Sequence, residues 1–313
     1  MQVDQFKLSI VSSMYYSEDY IAEFYRRTRV ALTSLSIDDY EFVLVDDGSP
    51  DSSLQKALSI READSNVHVI ELSRNFGHHK AILTGLEHAR GDLIFVIDMD
   101  LEEDPGFLQV FLDEYFQGSG TQPDLVYGVQ ISRKGGIFER ISGSVFYLLF
   151  NYLSRTKLSP NCLMSKLMTR RFRDALLRHK EHVVFLGGLI AITGFEQRAL
   201  YLPKTSKEVT TYTLSVKLRQ FWDSLTSFSS APLYLIFYCG LILCMISFGG
   251  SLLLIVNRLF LSSPVPGWTS ILVSIYLLGG LILASVGLVG IYIGKVFEEV
   301  KGRPLAIIKN IWG

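Results

Sequence analysis

Two stretches near the far end of this 313-residue chain carry no charged residue: Pro232 to Val256 and Thr269 to Gly294. As helices each would be about 37 Å long, against a bilayer hydrocarbon core of about 30 Å. Any fold for this chain must therefore accommodate two membrane-crossing helices. The connection Asn257 to Trp268 holds one basic residue, Arg258, whereas Lys204, Lys207, Lys217 and Arg219 precede the first run and Lys295, Lys301, Arg303 and Lys309 follow the second. Positive charge collects on the cytoplasmic side of membrane helices, so both chain termini are expected there. Trp268 and the Pro264-Val265-Pro266-Gly267 turn suit the opposite interface. The opening Met1 to Lys7 is polar and lacks the apolar core of a signal peptide.

The rest of the sequence alternates between two periodicities. Strand-like runs at Leu8 to Val11, Glu41 to Val45, Val67 to Leu72, Leu93 to Ile97 and Leu125 to Val129 are separated by helical patterns. Those helices are expected at Tyr20 to Leu35, Ser53 to Ala63, Lys80 to Ala89 and Pro105 to Phe116. Such alternation predicts an α/β fold with a mostly parallel sheet flanked by helices. Four regions follow: a soluble domain over 1–213, an amphipathic juxtamembrane helix over 214–231, the two-helix transmembrane hairpin over 232–294, and a cytoplasmic membrane-proximal tail over 295–313. In the juxtamembrane region Leu214, Leu218, Phe221, Trp222, Leu225 and Phe228 recur at helical spacing, as they would on a helix lying on a membrane or packed on the soluble domain. A net charge of −1 supplies no field for a phosphate backbone, so nucleic acid is not an expected partner. Cys162, Cys239 and Cys244 have neither disulfide-scaffold nor zinc-ligand spacing.

Chemistry-bearing residues collect where the strands end. Asp98-Met99-Asp100-Leu101-Glu102-Glu103-Asp104-Pro105 follows the run Leu93 to Ile97, and open α/β sheets bind ligands at carboxyl ends of strands. If the backbone turns there, Asp98 and Asp100 can share one hard cation, with phosphate or water oxygens completing its shell. The competing role is helix capping, which Asp104 before Pro105 fits well. Asp46-Asp47-Gly48-Ser49-Pro50-Asp51-Ser52-Ser53 offers acids and hydroxyls to a ribose or base, or a turn with a helix cap. Ser73-Arg74-Asn75-Phe76-Gly77-His78-His79-Lys80 opens a helix whose free amides, with Arg74 and Lys80, suit a phosphate or sugar. The adjacent His78 and His79 point differently and suit hydrogen bonding better than zinc, whose helical pairs sit at i, i+4.

In order, VDDGSPDSS, LSRNFGHHKAILTGLEHARGD and FVIDMDLEEDP resemble the family 2 glycosyltransferases of GT-A fold. Within them the pattern is most similar to bacterial membrane enzymes akin to dolichyl-phosphate mannose synthase. SFSSAPL before the first apolar run and GIYIGKVFEEVKGRPL after the second extend the resemblance over nearly the whole chain. It implies a GT-A sheet at the bacterial cytoplasmic membrane and inverting transfer from a nucleotide-diphosphate sugar to a polyprenyl phosphate, with Mg²⁺ or Mn²⁺. Asp98 and Asp100 correspond to the diphosphate and metal motif, with Glu102 as a third oxygen ligand where many relatives have Gln. Asp46 and Asp47 correspond to the nucleoside-contacting acids. Ser73, Asn75, Gly77 and Lys80 fall in the matching phosphate-proximal loop. Where relatives carry a Pro-x-Tyr-Asn-Glu-like turn this chain has Met14-Tyr15-Tyr16-Ser17-Glu18, leaving Tyr16 and Glu18 as counterparts.

Acceptor-side candidates are basic. Arg133 and Lys134 precede the apolar Phe138 to Leu153, which reads equally as an interfacial or a core helix. Lys166 and Arg170 lie in Leu163 to Arg171, where relatives read Asp-Phe-Arg-Leu-Met before a basic residue; lysine brings charge without the bidentate fork. Attraction to anionic lipid is the alternative for that segment. A non-catalytic nucleotide-sugar-binding scaffold, a different lipid acceptor and homo-oligomer formation stay open. A processive polysaccharide synthase does not fit, because Arg219-Gln220-Phe221-Trp222 lacks its Gln-x-x-Arg-Trp motif.

Overall fold

Runs of β-branched and aromatic residues with both faces apolar become strands when both faces are covered. That is what Leu8–Met14 (β1), Tyr40–Asp46 (β2), Val67–Leu72 (β3) and Leu93–Val96 (β4) do, and nearly every residue in them is buried. The helices Ile21–Ser34 (α1), Ser53–Ala63 (α2) and His78–His88 (α3) connect them. A short 3-10 turn, Pro105–Phe107, runs into Leu108–Gln117 (α4), and Leu125–Gln130 forms β5. This computed structural model describes residues 6–118, 120–131, 161–181, 185–203 and 267–313, with isolated positions between 233 and 249. Arg133, Lys134 and the expected helices at Phe138 to Leu153 and Leu214 to Phe228 lie outside the described residues, as does most of the run Pro232 to Val256.

Three further strands complete the sheet: Cys162–Thr169 (β6), Gln197–Leu202 (β7) and Ile308–Trp312 (β8). The eight strands lie in the order β7-β5-β6-β4-β1-β2-β3-β8. β4, β1, β2 and β3 are mutually parallel, whereas β6 runs antiparallel between β4 and β5 and β8 runs antiparallel along β3. Phe24, Phe42, Phe95 and Phe111 are fully buried in the core beneath the sheet. Arg170–Leu176 (α5) and Leu186–Thr193 (α6) follow β6.

Trp268–Val300 is one 33-residue helix (α7). Among the described residues it is the one helix long and apolar enough to cross a membrane, its Leu278–Val300 portion having mean hydropathy 1.9. The sheet and α7 belong to separate compact units, and residues 303–313 go with the sheet. The tail beyond α7 thus contributes a strand, which its expected role as a membrane-proximal segment did not include.

β8 is held by more than its ladder. Glu71, on β3 and 8% exposed, accepts from Lys309 Nζ at 2.5 Å and Asn310 Nδ2 at 2.7 Å, and Ser73 N donates to Ile307 O at 2.9 Å. Burial alone would raise the Glu71 carboxyl, but these two side-chain bonds outweigh it and hold its pKa below the ordinary 4.5. A depressed carboxyl stabilises the fold above its unfolded pKa and loses that contribution as pH falls through the folded value. Replacing Lys309 and Asn310 together by alanine should cost about 1–2 kcal/mol at pH 7, a figure already reduced for the exposure of Lys309. Urea melts should show that deficit shrinking on acidification below pH 4.5; no deficit at pH 7 would assign the tail's docking to backbone pairing alone.

Candidate active site

Because β1, β2, β3 and β4 are parallel, the loops leaving their carboxyl ends gather along one edge of the sheet. β1 lies between β2 and β4, so the crevice where the chain order reverses opens beside β1. The structure brings to this edge Tyr16 and Glu18 after β1, Asp46 and Asp47 at the end of β2, the Ser73 to Lys80 segment after β3, and Asp98 and Asp100 after β4.

The β2 and β3 loops are locked together by one carboxylate. Asp47, 1% exposed, accepts from Phe76 N at 2.7 Å and Gly77 N at 2.9 Å, while its own amide donates to Met14 O at 2.9 Å. Gly77 has φ 103°, a conformation that lets α3 start abruptly with its first amides facing the edge. Arg74 stacks its guanidinium 4.2 Å from the Phe76 ring centroid. Burial pushes both the Asp46 and Asp47 carboxyls up, against the hydrogen bonds from Ser49 and from the two amides respectively. Asp46 also accepts from Ser49 N at 3.4 Å. Glu18 is tied to the two residues just before α2, Ser52 N donating to Glu18 Oε2 and Glu18 N to Asp51 Oδ2, both at 3.2 Å. Tyr16, at φ 53°, stands 60% exposed beside Tyr15.

The expected turn in the acidic stretch is present. Leu101 adopts φ 59°, and Glu102 N donates to Asp100 Oδ1 at 3.0 Å. Asp104 takes its capping role, accepting from Gly106 N at 2.8 Å. Glu102 does not join a three-carboxylate set: among the described residues no group of three His, Cys, Asp or Glu could hold a metal. The fold instead singles out Glu103, 1% exposed, whose oxygens accept from Met164 N at 2.9 Å and Ser165 N at 2.7 Å on β6. Sequence alone could not separate these adjacent glutamates, because only the pairing of β6 with β4 reveals which one turns inward. The donors left for a cation, Asp98 and Asp100, are hard carboxylate oxygens. Two such ligands suffice for Mg²⁺ or Mn²⁺ when diphosphate and water oxygens complete the shell.

His78 spans the crevice. Its Nδ1 lies 2.8 Å from Ser13 Oγ on β1 and its Nε2 3.3 Å from Asp98 Oδ1 after β4. Burial, with smaller contributions from His79 and Lys166, lowers its pKa to about 4, so the ring is uncharged at neutral pH. Nδ1 shares a hydrogen bond with the serine hydroxyl, whereas the 3.3 Å approach of Nε2 to Asp98 is a close polar contact and not a hydrogen bond.

Two acceptor-side expectations are corrected. Lys166 faces inward from β6, 5% exposed, its ammonium donating to Leu163 O at 2.7 Å and Met164 O at 3.2 Å. Burial lowers its pKa, opposed by Cys162, Glu103 and Asp98. Its charge supports the β6 backbone beneath the acidic loop and is not offered to a lipid phosphate. Arg170 sits at the other end of β4, where Leu93 pairs with Thr169, and its guanidinium bonds to the carbonyls of Arg90 and Gly91 and to Asp92. The run that read as a basic membrane-side segment is an internal strand followed by an arginine that binds the loop before β4.

Gly48 offers a direct check on the locked loops. A Cβ there would lie 2.6 Å from Arg74 C and 2.7 Å from Asn75 N, at φ +67°. Gly48→Ala should therefore destabilise the domain by about 1–3 kcal/mol, while Gly187→Ala, whose Cβ meets only ordinary contacts from 3.5 Å, should be neutral. Thermal unfolding of the two variants tests this; equal midpoints would mean the β2 and β3 loops part readily.

The chain resembles known proteins along most of its length. The chain is 45% identical over 307 residues to a glycosyltransferase-named protein of Mycobacterium tuberculosis (strain CDC 1551 / Oshkosh), covering 98% of this chain and 89% of that one. It is 30% identical over 312 residues to the SfII prophage-derived bactoprenol glucosyl transferase of Shigella flexneri, covering 97% and 98%. The mannosyltransferase PcManGT of Pyrobaculum calidifontis, solved with GDP-Man and Mn²⁺, superposes over 96% of this chain and 88% of that one with a TM-score of 0.50 at 13% identity, a likeness of fold. Residues 9–182, more than half of the chain, match glycosyl transferase family 2. The protein is a glycosyltransferase of family 2, with a GT-A-like sheet.

Proposed function

We propose that this enzyme transfers a sugar, with inversion, from a nucleotide-diphosphate sugar to a polyprenyl phosphate at the cytoplasmic face of a bacterial membrane. The observation that carries the proposal is the placement of Asp98 and Asp100 at a strand-end crevice in a sheet that the chain rejoins directly after a 33-residue apolar helix. The full-length match to a bactoprenol glucosyl transferase supports a lipid phosphate as acceptor.

Parity supports the two-helix topology. β7 and β8 belong to one sheet, so the chain between Leu202 and Ile308 must leave and re-enter the same compartment. If α7 crosses the bilayer, a second crossing precedes it, and Pro232 to Val256 is the uncharged run of sufficient length. The two-helix hairpin, with both ends cytoplasmic, rests on that argument and on the charge asymmetry around it.

At the site, Asp98 and Asp100 would hold a divalent cation against the donor diphosphate. That cation would offset the negative charge that grows on the nucleotide diphosphate as it departs. The remaining roles belong to the chain. The amides at the start of α3, with Lys80, face the phosphate side of the crevice. Asp46, with Tyr16 and Glu18, lines the nucleoside side, and Asp47 holds the intervening loop. A phosphate monoester has a second pKa of about 6, so the acceptor is already a nucleophile at neutral pH and needs alignment more than a general base. Arg133 and Lys134 remain the basic residues proposed for that alignment.

The experiment is transfer of radiolabelled sugar from a panel of nucleotide sugars into the organic phase of membranes supplied with polyprenyl phosphate. Asp100→Ala should reduce transfer by about 10²- to 10³-fold while the protein stays folded and membrane-bound. Full activity of that variant at defined metal concentration would overturn the assignment of Asp100, and no organic-phase label with any donor would favour a non-catalytic binding protein. A cysteine placed at Ser262 on an otherwise cysteine-free chain should react with an impermeant maleimide from outside intact cells, and protection there would contradict the hairpin.

A further inference from the structure

The first carboxylate of the acidic stretch is approached by a side chain from a different element. Asp98 leaves the end of β4, Ser13 sits near the end of β1, and His78 is the first residue of α3, which returns across the sheet from β3. The ring touches all three: Nδ1 shares a 2.8 Å hydrogen bond with Ser13 Oγ, and Nε2 packs 3.3 Å from Asp98 Oδ1 as a polar contact without a hydrogen bond. Gly77, in its left-handed conformation, lets the chain turn into α3 where His78 can reach both partners. Asp47 fixes the start of that turn through the Phe76 and Gly77 amides. His78 is thus held from both sides, and its position is set by the same loop locking that shapes the nucleotide edge.

We propose that His78, oriented by Ser13, is a positioning residue that sets the direction of the Asp98 carboxylate and so governs how tightly the site takes up a divalent cation. The inference rests on the cation role assigned above to Asp98 and Asp100. A carboxylate on a loop samples several rotamers, and each must be lost when it binds a cation. A ring anchored on a strand hydroxyl removes that freedom beforehand, as outer-shell partners do for ligating groups. Ser13 and His78 should behave as one unit, because the hydroxyl acts on Asp98 only through the ring.

The test uses the full-length protein in detergent and Mn²⁺ alone, followed by the loss of the free-ion electron paramagnetic resonance signal, with Asp98→Ala as reference and thermal midpoints as a folding control. His78→Ala should weaken Mn²⁺ uptake by about tenfold, and Ser13→Ala by a smaller factor. The double variant should be no worse than His78→Ala. His78→Gln, whose amide can place a donor near the Nε2 position, should recover much of the affinity and keeps the test usable should the alanine variant unfold. With a nucleotide-sugar donor, the His78 variants should raise the metal concentration needed for half-maximal rate more than they lower the rate at saturating metal. Unchanged Mn²⁺ affinity in folded His78→Ala and His78→Gln, with affinity lost in Asp98→Ala, would overturn the positioning role and leave the cation role standing. Absence of Mn²⁺ uptake by the unsubstituted protein, both alone and with inorganic diphosphate present, would overturn both. A nitrogen coupling from His78 to bound Mn²⁺, seen by electron spin echo and abolished in His78→Gln, would make the histidine a ligand and also overturn the proposal.

Discussion

Buried carboxylates accepting pairs of backbone amides hold this site together. Asp47 ties the end of β2 to the start of α3, and Glu103 ties the acidic loop after β4 to β6. In each case a loop that carries function is fixed by a neighbouring element, so its geometry does not depend on the loop's own propensity. A carboxylate buried to this extent is costly unless its oxygens are satisfied, and an amide pair provides that satisfaction, with the buried Lys166 ammonium adding an opposing charge near Glu103. Within one short acidic stretch, Glu103 and Asp104 thus have structural partners, which separates them from the pair proposed to carry the chemistry, Asp98 and Asp100.

Much of the fold was legible because its local signals agree with one another. The five apolar runs from Leu8 to Val129 became β1 to β5 with boundaries shifted by a few residues, and Ser53–Ala63 and Val67–Leu72 matched their expected bounds. β6 was not legible. Its Lys166, which suggested an exposed basic segment, is accommodated inside because two carbonyls of its own strand turn to meet the ammonium. β8 was hidden for another reason. It is short, its Lys309-Asn310 pair interrupts the apolar pattern, and its partner Glu71 lies 238 residues earlier than Lys309.

The site divides in the same way. Asp98 and Asp100 announce themselves by spacing, and Asp104 by the proline that follows. Glu103 and His78 do not, because what each does is decided by an element that sequence spacing cannot bring near: β6 for one, β1 and β4 for the other. Adjacent residues of one type, Glu102 with Glu103 and His78 with His79, are where sequence loses resolution, since neighbours on a turn or helix point in different directions.

The position of β8 also orders events during synthesis. Until Lys309 emerges, β3 has its β2 side paired and its other side bare. At ordinary translation speeds of about 5–20 residues per second, the 238 residues after Glu71 take roughly ten to fifty seconds to make. During that interval the apolar stretch Val67–Leu72 presents an open ladder of the kind that recruits foreign strands. The chain must commit its long apolar helix before it can cover that ladder. Delayed burial of that helix would therefore be expressed as aggregation of the sheet, at a site remote from the helix itself.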